Sequence, residues 1–183
     1  MSEIKVLAFA GSLRKASFNR MLAEASVRLA PKGMTIEHFL LDGLTCFNQD
    51  LETDPPDVVR NLREKARAAD GILVVSPEYN YSYSSVTKTA LDWGSRPHGD
   101  SVWEKKPFAI QSASMGGMGG VRAQLHLRQV LGYFEARQLL FPEVFVQKAQ
   151  DKFDAEGNLT DDGAAEAIRR HLVAFKTLIE SIR

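Results

Sequence analysis

Five short apolar runs, Val6 to Ala10, Ile36 to Leu41, Ile72 to Ser76, Phe108 to Ala113 and Gln138 to Phe141, alternate with stretches of helical periodicity. Strands that are apolar on both faces must be covered on both faces, and a helix in every interval supplies the cover. The pattern therefore predicts a parallel sheet in a doubly wound α/β sandwich. Phe18, Met21, Leu22, Ala25 and Leu29 share one face of a first helix that Pro31 to Gly33 stops. After an extended, Pro-containing loop, Val58, Leu62, Ala66 and Ala69 mark a second helix. Val86, Ala90 and Trp93 mark a third, Val121, Leu125 and Leu131 a fourth, and Ile168, Leu172, Phe175, Ile179 and Ile182 a last one. At 183 residues, with no repeat, linker or low-complexity tract, one domain over residues 1–183 is expected.

Charge and cysteine content narrow the function. With 23 basic against 23 acidic side chains, nothing draws the chain to nucleic acid or an anionic membrane, so small molecules or further copies of itself are the expected partners. Cys46 is the single cysteine, which rules out an internal disulfide or a four-cysteine cluster. It reads as a half-buried structural thiol in a loop. Met-Ser-Glu-Ile-Lys-Val leads into the first strand without a signal segment, and no apolar run approaches a membrane span; a cytoplasmic protein is expected.

In a doubly wound sandwich ligands sit beyond the carboxyl ends of the strands, so the loops after the first, third and fourth strands should open on one edge. The first is Gly11-Ser12-Leu13-Arg14-Lys15-Ala16-Ser17-Phe18-Asn19. Hydroxyls at Ser12 and Ser17, the Arg14 fork and the amides of a helix N-terminus suit a phosphomonoester, and an ordinary N-capped turn fits as well. It lacks the glycines of the dinucleotide fingerprint and the Gly-Lys-Ser/Thr of the P-loop. The loop after the third strand, Pro77-Glu78-Tyr79-Asn80-Tyr81-Ser82-Tyr83-Ser84-Ser85, offers backbone polar groups beside an aromatic wall for a flat heteroaromatic ring, or tyrosines that pack locally. The loop after the fourth carries Gly116, Gly117, Gly119 and Gly120, for close approach to a ring or for flexibility. Ser112 stands where a serine-hydrolase elbow would need Gly. His126 has no partner that the sequence fixes, and His38, His98 and His171 show no metal-ligand spacing, so no metal site is expected.

Together the three loops resemble those of the NADPH-dependent FMN reductase family, and within it the bacterial chromate and quinone reductases. The resemblance rests on residues 11–19, on Pro77 to Asn80 with Ser82 and Lys88-Thr89-Ala90-Leu91-Asp92-Trp93, and on 114–124 running into His126-Leu127-Arg128-Gln129. It implies a flavodoxin-like sandwich whose five-stranded parallel sheet has the order 2-1-3-4-5. It implies that Ser12, Arg14, Ser17, Phe18 and Asn19 surround an FMN phosphate and ribityl chain. Glu78, Tyr79 and Asn80 would line the isoalloxazine ring, partly through backbone atoms, with Pro77 fixing the loop, Ser82 following in the same loop as a further cofactor contact, and Ser114 and Gly117 closing the other side. The implied activity is ping-pong transfer of hydride from NADPH or NADH to FMN, and on to a quinone, chromate, an azo compound or a ferric chelate. FMN carries that chemistry, so no catalytic side chain is expected. A flavodoxin-type electron carrier and a non-catalytic flavin sensor are the alternatives. A homodimer or homotetramer is implied, with Trp93, Trp103 and Val121 to Leu131 in contact between subunits or packed on their own sheet. Arg122 would reach that interface or stand in solvent. Many members carry Pro where Ser84 stands, which predicts a more mobile ring loop here.

Overall fold

All of Gly71–Val75 is buried, because this strand lies at the centre of the sheet with neighbours on either side. The computed structural model describes residues 3–183; Met1 and Ser2, where the N-terminal reading begins, lie outside the described residues. In chain order the elements are β1 (Ile4–Ala10), α1 (Phe18–Arg28), β2 (Met34–Phe39), α2 (Asp57–Ala68) and β3 (Gly71–Val75). A short hairpin of β4 (Glu78–Tyr79) and β5 (Ser82–Tyr83) follows, then α3 (Ser85–Gly94), β6 (Pro107–Ala113) and α4 (Val121–Tyr133). β7 (Arg137–Gln138), β8 (Val144–Val146) and α5 (Asp162–Glu180) complete the chain. The parallel sheet has the order β2-β1-β3-β6-β7, and β8 also pairs with β6.

The fifth sheet position differs from its expected form. The run Gln138 to Phe141 is not one strand: β7 pairs with Pro107 and Phe108, and β8 pairs with Gln111 to Ala113 further along the same edge. Pro142 has no N–H for the ladder, and Leu140 and Phe141 turn outward and stay exposed. The break is braced from behind. Arg128 Nη1 donates to the Leu139 carbonyl at 3.1 Å, and His171 Nδ1 lies 2.7 Å from that of Pro142.

Alternation of side chains along each strand divides the core in two. On one face Leu73 and Val75 pack with Val6, Ala8, Leu22, Ile168, Leu172 and Phe175, under α1 and α5. On the other, Ile72 and Val74 pack with Phe9, Leu62, Leu91, Trp103, Leu127 and Leu131, under α2, α3 and α4. Val59, not Val58, is the buried valine of α2, and Ile182 lies exposed beyond the end of α5. Trp93 and Trp103 are core residues, with their indole N–H groups donating to Thr45 and Leu91 carbonyls at 2.9 Å. They are therefore packed within the chain and offer nothing to a second subunit. Cys46 is exposed rather than half-buried, since the loop after β2 runs over the surface. Among the described residues no helix is long and apolar enough to cross a membrane.

Candidate functional site

The chain leaves β1 for one side of the sheet and returns to the other side as β3, so the strand order reverses between these two strands. At their carboxyl ends Ala10 lies beside Val75, and the Gly11 N–H donates to the Val75 carbonyl at 2.9 Å. Above this point is a cavity of about 240 Å³ lined by Ser12, Arg14, Ser17, Phe18, Asn19, Pro77, Glu78, Tyr79, Ala113, Ser114 and Met115. Three loops far apart in sequence thus share one opening. Its volume is below the ~300–1,000 Å³ that enclose a whole small ligand, so a long ligand anchored here keeps one end open to solvent.

The first loop is built to receive an anion. Among the described residues, the backbone N–H groups of 12–17 donate no hydrogen bond, and Arg14 is exposed without an ion pair or hydrogen bond. Ser17 caps α1, its Oγ accepting from the Asn19 N–H at 3.3 Å, which leaves its hydroxyl proton for another acceptor. The unpaired amides, the positive end of the α1 dipole and the Arg14 guanidinium therefore share one loop, and among the described residues no carboxylate pairs with Arg14. Arg20 supports the loop from behind, donating from Nε to the Ser12 carbonyl at 2.8 Å and from Nη2 to Asp42 at 2.6 Å. Sequence reading missed Arg20, and the eight-residue separation carries no pattern that would have revealed it.

Asn19 lines the cavity, but its side-chain amide is engaged with Ala113: Nδ2 donates to the carbonyl and Oδ1 accepts the N–H, both at 2.9 Å. Glu78 is also a structural tie. Its Oε2 accepts from the backbone N–H groups of Arg122 at 3.0 Å and Ala123 at 3.4 Å, capping α4, while Oε1 accepts from Arg122 Nη1 at 3.2 Å. Arg122 in turn stacks on Tyr81, its Cζ 4.2 Å from the ring centroid. At this wall of the cavity the hairpin therefore presents backbone and the Tyr79 ring rather than a free carboxylate.

Three of the expected site residues stand apart from the cavity lining. Asn80 and Tyr81 both have positive φ, +50° and +69°, as the two central residues of a tight hairpin turn require. Ser82 faces α4, where its Oγ lies 3.2 Å from His126 Nδ1; this is the partner that His126 lacked in the sequence reading. Gly117 faces open space, and the glycine requirement falls instead on Gly119 and Gly120. Their φ values are +60° and +88°, and a Cβ would lie 2.8 Å from Phe145 Cβ and 2.7 Å from Ser112 Cβ respectively. The cavity gains Ala113 and Met115, which sequence reading did not single out. Ser84 does not loosen the ring loop: it is buried, caps α3 and donates to the Gly11 carbonyl at 2.6 Å.

A cradle of free amides and one unpaired arginine, beside an aromatic wall open to solvent, fits FMN: the phosphate finds donors, and the ring keeps an accessible face. Comparison with known proteins agrees. The family model for NADPH-dependent FMN reductase matches residues 4–151. The chain is 42% identical over 182 residues to an NAD(P)H-dependent FMN reductase of Pseudomonas aeruginosa, covering 99% of this chain and 98% of that one. It is 40% identical over 172 residues to a 2-hydroxy-1,4-benzoquinone reductase of a Burkholderia species, covering 94% and 92%. Among solved structures, the flavoenzyme FerB of Paracoccus denitrificans, an NAD(P)H:(acceptor) oxidoreductase, superposes with a TM-score of 0.89 at 32% identity, covering 97% of this chain and 98% of that one. On sequence and on fold, this chain belongs to the NADPH-dependent FMN reductase family.

Proposed function

We propose that this chain holds FMN in the three-loop cavity and transfers hydride from NADPH or NADH to a quinone acceptor, the two substrates using one open face in turn. The observation that carries the reading is the set of unpaired amides at 12–17 with Arg14, at the one place where strand order reverses. When bound, FMN supplies the redox chemistry, accepting and donating hydride. The residues bind and orient. Ser12, Arg14 and Ser17 hold the phosphate, and Phe18, packed against Phe153 at 6.0 Å between centroids, forms the floor beside it. Pro77, Tyr79 and the backbone of the hairpin set the plane of the ring, with Ser114 and Met115 opposite.

Quinones are the acceptor class that the Burkholderia relative's name supports. The same open face admits chromate, azo compounds and ferric chelates. A homodimer or homotetramer belongs to the same reading: Tyr79, Tyr81, Met115, Met118 and Leu125 are exposed apolar side chains on the ring hairpin, the glycine loop and α4. Initial rates at several fixed quinone concentrations test the single-face mechanism. Parallel double-reciprocal lines are expected, and intersecting lines would require a ternary complex and a second substrate site.

A further inference from the structure

Behind the cavity, in contact with none of its open surface, three hydroxyls form a buried chain. Ser76, Ser84 and Thr87 are each at most 1% exposed. Ser84 Oγ lies 2.6 Å from the Gly11 carbonyl, Thr87 Oγ1 lies 3.0 Å from Ser84 Oγ, and Ser76 Oγ lies 3.0 Å from Thr87 Oγ1. Each hydroxyl has one proton, which fixes the direction of the chain at its Gly11 end. Ser84 must give its proton to the Gly11 carbonyl, which can only accept. Its lone pairs then receive the Thr87 hydroxyl and the Thr87 backbone N–H, the latter at 3.1 Å. Ser76 donates to the Pro77 carbonyl at 3.1 Å or to Thr87 Oγ1 at 3.0 Å, and in the first case Thr87 can donate to Ser76 in turn. The chain thus runs from Ser76, the residue before the ring loop, to Gly11, the first residue of the phosphate loop.

Gly11 shows how close this contact is. Its φ is not positive, so no turn demands glycine there, yet a Cβ would lie 1.8 Å from Thr87 Oγ1 and 2.7 Å from Ser84 Oγ. Glycine is needed to admit the hydroxyls. The peptide group is planar and trans, so a Gly11 carbonyl held toward Ser84 turns the Ser12 N–H the opposite way, away from α3. That N–H is the first of the unpaired amides on the phosphate loop.

From this geometry we propose that Thr87 is a positioning residue: through Ser84 it orients the Gly11–Ser12 peptide, and so sets the preference for a phosphorylated flavin over riboflavin without touching either. The inference rests on the FMN reading of the cavity. Thr87→Val keeps the shape of the side chain and removes the hydroxyl that links Ser84 to Ser76, leaving Ser84 Oγ with the Thr87 backbone N–H and Ser76 with the Pro77 carbonyl. Thr87→Ser keeps the hydroxyl. The readout is the equilibrium dissociation constant of the purified apoprotein for FMN and for riboflavin, by quenching of flavin fluorescence. Thr87→Val is expected to weaken FMN binding about tenfold or more, the loss of one buried hydrogen bond, while riboflavin binding changes less than about twofold. Thr87→Ser should restore the wild-type ratio. Ser84→Ala, which cuts the chain one link later, should reproduce the Thr87→Val ratio and serves where that variant does not fold. Equal weakening of both flavins, or an unchanged ratio in the hydroxyl-free variants, would overturn the proposal. Wild-type protein that binds FMN no better than riboflavin would instead remove the reading beneath it.

Discussion

Asn19 and Ala113 hold each other by two hydrogen bonds of 2.9 Å, side-chain amide to backbone, across 94 residues of sequence. The pair joins the first turn of α1 to the carboxyl end of β6, and so holds the phosphate loop against the glycine loop. Both residues are buried, so removing the amide leaves the Ala113 N–H and carbonyl without these bonds and out of water. Asn19→Ala is expected to lower the unfolding free energy by about 2–4 kcal/mol. Urea unfolding with an unchanged m-value checks it; an unchanged midpoint would mean that water replaces the amide without cost.

Among the described residues no carboxylate pairs with Arg14, which lines the cavity. A charge-assisted bond to phosphate is worth about 1.5–3 kcal/mol. Arg14→Ala should therefore weaken FMN binding roughly ten- to a hundredfold and leave riboflavin nearly unaffected. Isothermal titration with both flavins measures this, and equal losses would show that Arg14 does not address the phosphate.

What the sequence disclosed about the site follows the reach of each signal. Strand and helix period are local, and the placement of ligands at a topological switch is general, so the doubly wound parallel sheet and the meeting of three loops could be read in advance, while the strand order was implied by the family resemblance. Contacts that close over long distances could not. Glu78 caps a helix 44 residues away, and the Asn19 amide is occupied by Ala113, so residues expected to face a ligand turn out to be ties between loops. Asn80 and Tyr81 make a hairpin turn without the glycine that would announce it. Ser84, expected to loosen the ring loop, is pinned because its hydroxyl finds Gly11 only in the folded chain. Pro142, directly after the run expected to form the fifth strand, was a local warning that this edge would break.

The glycine loop offers a comparison within a few residues. Gly120→Ala requires a left-handed backbone and drives a Cβ to 2.7 Å from Ser112 Cβ, whereas Gly117→Ala meets open space. Gly120→Ala should cost about 1–3 kcal/mol, and Gly117→Ala less than about 0.5 kcal/mol. Thermal unfolding of the two variants distinguishes them. Equal midpoints would contradict the assignment of the requirement to Gly120.

His171 couples the broken fifth strand to pH. Burial, with the nearby Arg128 charge, pushes its pKa down from 6.5 to about 4, against the favourable Pro142 carbonyl. The folded protein therefore prefers neutral imidazole. Its contribution to stability is complete above the unfolded pKa of 6.5 and is lost as pH falls toward 4. Between about pH 7 and about pH 5 wild type should lose roughly 2 kcal/mol more than His171→Gln, which cannot titrate. Chemical denaturation at both pH values checks this, and identical losses would remove His171 as the cause.

The absorption spectrum of the FMN-loaded protein under anaerobic NADPH or NADH is the most direct test of FMN-dependent hydride transfer. The expected result is one FMN per chain, a yellow band that bleaches on addition of one equivalent of the nicotinamide, and its return when a quinone is added. Failure to bind FMN, or a bound flavin that neither nicotinamide bleaches, would contradict that function.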